Sequence, residues 1–121
     1  MAQGQTVLVV DDSDLIRDVT QFSLEKAGYV VDTIADPRGL AAALASKVPD
    51  VVLVDIGFPG VRPHELAALV KPHLEKCPFL VFSDRPAAEI EDLVAELGAS
   101  GSVAKNLDGA ALADALARVA K

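Results

Sequence analysis

Five side chains of this chain could do chemistry together, and each follows a run of apolar residues. Asp11 and Asp12 follow Thr6–Val10, Asp55 follows Val51–Val54, Ser83 follows residues 79–82, and Lys105 follows a short run at residues 102–104. Three carboxylates held at one place repel one another, so either some stay protonated or a cation joins them. An oxygen-only set of this density suits Mg2+, which keeps several waters and takes one or two carboxylates plus a phosphate oxygen. No His or Cys set lies near them in the sequence pattern, so zinc is not expected. With a cation in place, Asp55 could act as a nucleophile toward a phosphoryl group and form an acyl phosphate. Lys105 would pair with the phosphoryl charge, and the Ser83 hydroxyl would hydrogen-bond one of its oxygens.

Such a constellation needs a frame that brings distant chain segments to one rim. The sequence alternates apolar runs with helical patterns throughout. After the first run, Leu15, Val19 and Phe22 recur at helical spacing and Gly28 is a natural stop. Residues 29–34 alternate apolar Val30 and Ile34 around Asp32, which predicts a half-buried strand. Asp36 followed by Pro37 reads as an N-cap and first helical position, with Leu40, Ala43 and Leu44 facing inward. Beyond the run at Val51–Val54, a loop with Gly57, Pro59 and Gly60 leads to a helix bearing Leu66, Leu69 and Val70, which Pro72 should kink or end. Pro86 opens a further helix with Ile90, Leu93, Val94 and Leu97 inward and Gly98 as its stop; Leu112, Leu116 and Val119 mark the last.

Five strands alternating with five helices imply an α/β fold, a parallel sheet covered on both faces. The first, third and fourth runs are apolar throughout, as central strands should be. The second alternates and the fifth is short, which places them at the edges. The resulting order is 2-1-3-4-5, the flavodoxin-like (βα)5 doubly wound sheet. Ligands of such sheets bind beyond the carboxyl ends of the strands where strand order reverses, here between strands 1 and 3. That is where Asp11, Asp12 and Asp55 fall.

Bulk composition narrows the function classes. The chain has 121 residues, enough for one domain spanning 1–121. Hydrophobic residues make up 51%, which excludes a disordered chain, while aromatics are 4%, so the core rests on Val, Leu, Ile and Ala. The net charge of −7 argues against direct contact with nucleic acid or anionic lipid. A single cysteine, Cys77, excludes an intrachain disulfide and is expected to be a small buried hydrophobe. No run approaches the roughly 20 apolar residues of a membrane span, and the short polar start is not a signal peptide; a cytoplasmic protein is expected. His64 and His73 are expected to be exposed.

With these residues in order, the sequence closely resembles the receiver domains of two-component response regulators, of the stand-alone type exemplified by chemotaxis regulators. The resemblance covers essentially the whole chain. It rests on Asp11-Asp12-Ser13 with Arg17, on Asp55 followed by Phe58-Pro59, on Ser83, and on Gly98-Ala99 leading to Lys105. It implies that Asp55 is the phosphoacceptor and that Asp11, Asp12, Asp55 and the Gly57 backbone carbonyl hold Mg2+. It implies that Ser83 and Lys105 bind the phosphoryl group. The donor would be a histidine kinase or a histidine phosphotransfer protein, or a small acyl phosphate. With no effector segment after Lys121, output is expected through a downstream protein partner, and a starting Met1 suggests a stand-alone protein.

Several positions depart from the family pattern. The family usually carries Tyr or Phe three residues before the lysine, where this chain has Ser102, and Pro after it, where this chain has Asn106. A cis peptide at Asn106 is disfavoured by about 3 kcal/mol. The residue after the hydroxyl is usually small; here it is Asp84, a further carboxylate that would oppose phosphorylation unless Arg85 compensates. Pro63 stands where the acceptor loop ordinarily ends in Gly. These positions favour a second reading, a receiver fold acting as a phosphorylation-independent interaction module, with the loop of residues 57–62 or the first helix recognising the partner.

Two enzyme-like readings are weaker. An aspartyl phosphatase of this fold carries a second Asp two residues after the nucleophile, and that position is Gly57. A flavin carrier needs a Ser/Thr/Gly-rich cradle after strand 1, where Asp11, Asp12 and Asp14 would repel a phosphate. Self-phosphorylation and slow self-dephosphorylation, rather than turnover of a substrate, are the expected chemistry.

Overall fold

The structure is a computed structural model that describes residues 4–105 and 109–119. Five strands run in parallel: β1 (Thr6–Val10), β2 (Val30–Ile34), β3 (Val51–Val54), β4 (Phe79–Ser83) and β5 (Gly101–Ala104). Their order is β2-β1-β3-β4-β5, so the expected topology holds. Between and after them lie α1 (Asp14–Lys26), α2 (Leu40–Ser46), α3 (Pro63–Val70), α4 (Ala87–Leu97) and α5 (Gly109–Val119).

Alternation along the central strands sorts the core into two layers. Leu8, Val10, Val52, Val54, Phe79 and Val81 face α2, α3 and α4. Val7, Val9, Val51, Leu53, Leu80 and Phe82 face the other way, onto Leu24 of α1 and Leu112 and Leu116 of α5. β1, β3 and β4 are buried on both faces, apart from the partly exposed Thr6, which is why they read as unbroken apolar runs.

Helix ends follow local chemistry. Ser13 caps α1, its hydroxyl accepting from the Ile16 amide at 3.2 Å. Asp36 accepts from the Arg38 amide and opens a 3-10 turn over Pro37–Gly39 that runs into α2. Pro72 ends α3 as expected, within a 3-10 turn over Lys71–His73. Gly98 closes α4 at φ +75°, and a Cβ there would lie 2.8 Å from Leu74 Cδ1, so both conformation and space require glycine.

Three expectations are corrected. The stripe of Leu15, Val19 and Phe22 marks α1 but is not its core face: Leu15 is 69% exposed and Phe22 64%, while Thr20 and Leu24 are buried. The helix has a second stripe through Ile16, Thr20 and Leu24, and that one meets the sheet. In β2 Val30 is exposed and Val31 is buried on the other face, while Ile34 packs against the α2–α4 side of the core; Val30 pairs with the partly exposed Thr6 at the start of β1 and Val31 with buried Val7. His73 is buried rather than exposed, and its burial lowers its pKa, with the Lys76 charge adding to the effect.

Candidate functional site

The sheet ladder does not stop where the strands stop. The Asp11 amide donates to the Ile34 carbonyl at 3.2 Å, the Asp55 amide to the Val10 carbonyl at 2.8 Å, and the Lys105 amide to the Ser83 carbonyl at 3.1 Å. Asp11, Asp55 and Lys105 are thus each held one step beyond a strand by a cross-strand bond. In-register pairing of Val10 with Val54 then sets the backbones of Asp11 and Asp55 side by side.

Asp11 is fully buried. Its Oδ1 accepts from the Ser13 amide at 2.9 Å, and its backbone carbonyl accepts from Arg17 Nη1 at 2.7 Å. Arg17 also pairs with Asp14, so the first turn of α1 braces the loop. Asp55 is 7% exposed and Asp12 is exposed. One carboxylate oxygen from each of Asp11, Asp12 and Asp55 lies within 4.8 Å of the other two.

Lys105 reaches into this group. Its Nζ lies 2.7 Å from Asp11 Oδ2 and 3.1 Å from Asp55 Oδ1, and sits 5.4 Å from the centre of the Phe82 ring. The contact with Asp11 Oδ2 is an ion pair, with no donor aligned on that oxygen as a hydrogen bond among the described residues. Burial pushes the Asp55 carboxyl above the usual range; Lys105 pulls it back, and the neighbouring Asp11 charge adds to the rise. Burial opposes the Lys105 charge, but Asp11 and Asp55 together outweigh it and raise its pKa.

Ser83 ends β4 fully buried, and its hydroxyl accepts from the Arg85 amide at 3.0 Å. It therefore holds the loop rather than capping α4, whose N-cap, Pro86, makes no side-chain bond. Gly57 and Asp84 lie on exposed loops at the same rim, and Ser102 is exposed on β5. Asn106 lies outside the described residues.

The sequence of residues 7–117 matches the response regulator receiver domain. The chain belongs to that family. As a receiver domain it is 33% identical over 112 residues to the transcriptional regulatory protein CseB of Streptomyces avermitilis, and 32% identical to CseB of Streptomyces coelicolor. Each match covers 93% of this chain and 47% of the relative, so the chain spans about half the length of those curated relatives. Among solved structures it resembles the chemotaxis response regulator CheY4 of Vibrio cholerae. The TM-score is 0.82 at 29% identity, covering 96% of this chain and 98% of that one.

The receiver fold thus brings Asp11, Asp12, Asp55, Ser83 and Lys105 to one rim. Two supports were not legible beforehand: the Ser13 amide on Asp11, and Phe82 beneath Lys105. The first is hidden because a backbone donor has no residue type; the second because Phe82 reads simply as core. No helix among the described residues is long and apolar enough to cross a membrane.

Proposed function

We propose that this receiver domain accepts a phosphoryl group on Asp55 in a Mg2+-dependent reaction. The observation that carries the reading is Lys105, paired at once with buried Asp11 and Asp55 beside a third carboxylate, Asp12. The residues suit a hard divalent cation: one oxygen from each of three carboxylates lies within 4.8 Å of the other two, an oxygen-only donor set on two buried residues and one exposed one. Asp11, Asp12, Asp55 and the Gly57 carbonyl would hold it, and bound Mg2+ would supply positive charge against the phosphoryl oxygens.

The Asp55 carboxylate attacks phosphorus in line with the leaving group. A new carboxyl O–P bond forms as the donor's bond to phosphorus breaks, and the leaving group departs as acetate from acetyl phosphate or as the imidazole of a phosphohistidine. Lys105 then turns from an ion pair with Asp55 to one with the phosphoryl oxygens, keeping its contact with Asp11. The Ser83 hydroxyl, at the same rim, donates to a further oxygen.

The donor is a histidine kinase or histidine phosphotransfer protein, the compartment is the cytoplasm, and output passes through a protein partner. The curated relatives named transcriptional regulatory proteins suit a role in two-component signalling. Intact mass after incubation with acetyl phosphate tests the reading. One added phosphoryl group that requires Mg2+ and vanishes in Asp55→Asn is expected. No modification, with no Mg2+ binding by titration, would overturn it and leave a phosphorylation-independent docking module.

A further inference from the structure

We infer that Arg85 is a second cationic contact for a phosphoryl group on Asp55, admitted by the missing side chain of Gly57, and that phosphorylation draws its charge out of a neighbouring cleft. The inference rests on Asp55 being the phosphoacceptor. A Cβ placed on Gly57 would lie 3.8 Å from Asp55 Oδ2, 4.0 Å from Asp55 Oδ1 and 3.9 Å from Arg85 Nη2. One point in space is therefore in van der Waals reach of both the carboxylate and the guanidinium. A β-carbon at 57 would occupy that point, in contact with both groups.

The Arg85 backbone is fixed at the rim, since its amide donates to the buried Ser83 hydroxyl at 3.0 Å. Its guanidinium makes no hydrogen bond or ion pair among the described residues. A long cation on a pinned backbone, with no partner among the described residues, can reorient at little cost. Phosphorylation replaces a carboxylate that Lys105 already neutralises with a group of about −2 charge bearing three acceptor oxygens. A guanidinium presents a planar fork suited to two such oxygens.

Arg85 faces the other way as well. It lines a cleft of about 400 Å³ together with Asp84, Ile90, Glu91, Ser102 and Ala104. Among the described residues lining that cleft it is the one cation, set against Asp84 and Glu91. When the Arg85 guanidinium, already beside Gly57, pairs with the phosphoryl oxygens, its charge is neutralised and the cleft is left with Asp84 and Glu91. The exposed Ser102 has no bulk to reorganise in this face, so the change presented to a partner is one of charge.

The test uses trifluoroberyllate with Mg2+, a stable stand-in for the phosphoryl group, on the whole chain labelled with nitrogen-15. The arginine Nε–Hε signal of residue 85 is identified by its loss in Arg85→Lys. On saturation that signal is expected to shift, together with the amides of Ile56 and Ser83. Arg85→Gln and Gly57→Ala should each bind trifluoroberyllate about tenfold more weakly, with Arg85→Lys between them and the parent chain. Mg2+ affinity measured without trifluoroberyllate should stay unchanged in Arg85→Gln and Arg85→Lys, which separates loss of the guanidinium contact from damage to the metal pocket. An unmoved Arg85 signal while the Ile56 and Ser83 amides shift would overturn the role of Arg85 and leave Asp55 standing as acceptor. Absence of any shift would overturn the acceptor and this inference together.

Discussion

The rim of the sheet has a dense side and an open side. Around β1 and β3, Asp11 and Asp55 are buried, bonded along the backbone and joined by one ammonium group at 2.7 and 3.1 Å. Around the β4–α4 loop and β5, short side chains leave a cleft of about 400 Å³, with Asp84, Arg85 and Ser102 in solvent. Burial on the dense side makes each charge depend on its neighbours, so a change there propagates as energy. Exposure on the open side makes charges cheap to move, so a change there propagates as altered surface. The first arrangement suits holding a reactive group, the second presenting its state.

Several measurements can break this contrast. Asp55→Asn is expected to abolish Mg2+-dependent phosphorylation outright, as read by intact mass. Lys105→Met strands two buried carboxylates and should cost about 3–5 kcal/mol in chemical denaturation; millimolar Mg2+ should restore part of it, because a ligand of the folded state alone stabilises it. Gly98→Ala should cost about 1–2 kcal/mol from its left-handed backbone and the close Leu74 contact, with phosphorylation unaffected. At the small end, Ser102→Phe on the open side should change stability by less than about 0.5 kcal/mol and leave the phosphorylation rate within about twofold. A larger change in that rate would mean that the two sides are coupled through β5 and not only through Arg85.

The acidic side also predicts a pH dependence. Burial raises the Asp55 pKa in the folded chain above its unfolded value. A raised carboxyl contributes stability below its unfolded pKa and loses it as pH rises through the folded value, so ionised Asp55 is a destabilising group at neutral pH. Asp55→Asn should therefore melt a few degrees higher than the parent chain at pH 7. That advantage should shrink as the pH falls through the folded pKa of Asp55, and calorimetry at pH 7 and pH 4 checks both.

Much of this was legible in the sequence, and the rest was hidden for physical reasons. Val51–Val54 and residues 79–82 read as central strands, because short unbroken apolar runs bounded by turn residues suit a strand buried on both faces; their endpoints at Asp55 and Ser83 then locate the site. The faces of peripheral elements were not legible. α1 carries two apolar stripes, and only packing against β2 and α5 decides for Thr20 and Leu24 over Leu15 and Phe22. β2 has Val30 and Val31 on opposite faces, and pairing with β1 decides between them. In the site, residue type announced the three carboxylates and Lys105. That one lysine serves two of those carboxylates, and that Gly57 is the space between Asp55 and Arg85, depends on distances that no spacing in the chain encodes.

The cross-strand bonds that run one residue past β1, β3 and β5 have a kinetic consequence. The amides of Asp11, Asp55 and Lys105 belong to the same ladder as the core strands, so they open to solvent hydrogen exchange only when much of the sheet opens. Three of the reactive residues are thus tied into the hydrogen-bonded ladder of the sheet, and the Arg85 side chain, on the β4–α4 loop, lies outside it. Hydrogen exchange followed residue by residue should show the amides of Asp11 and Asp55 exchanging with those of β1 and β3.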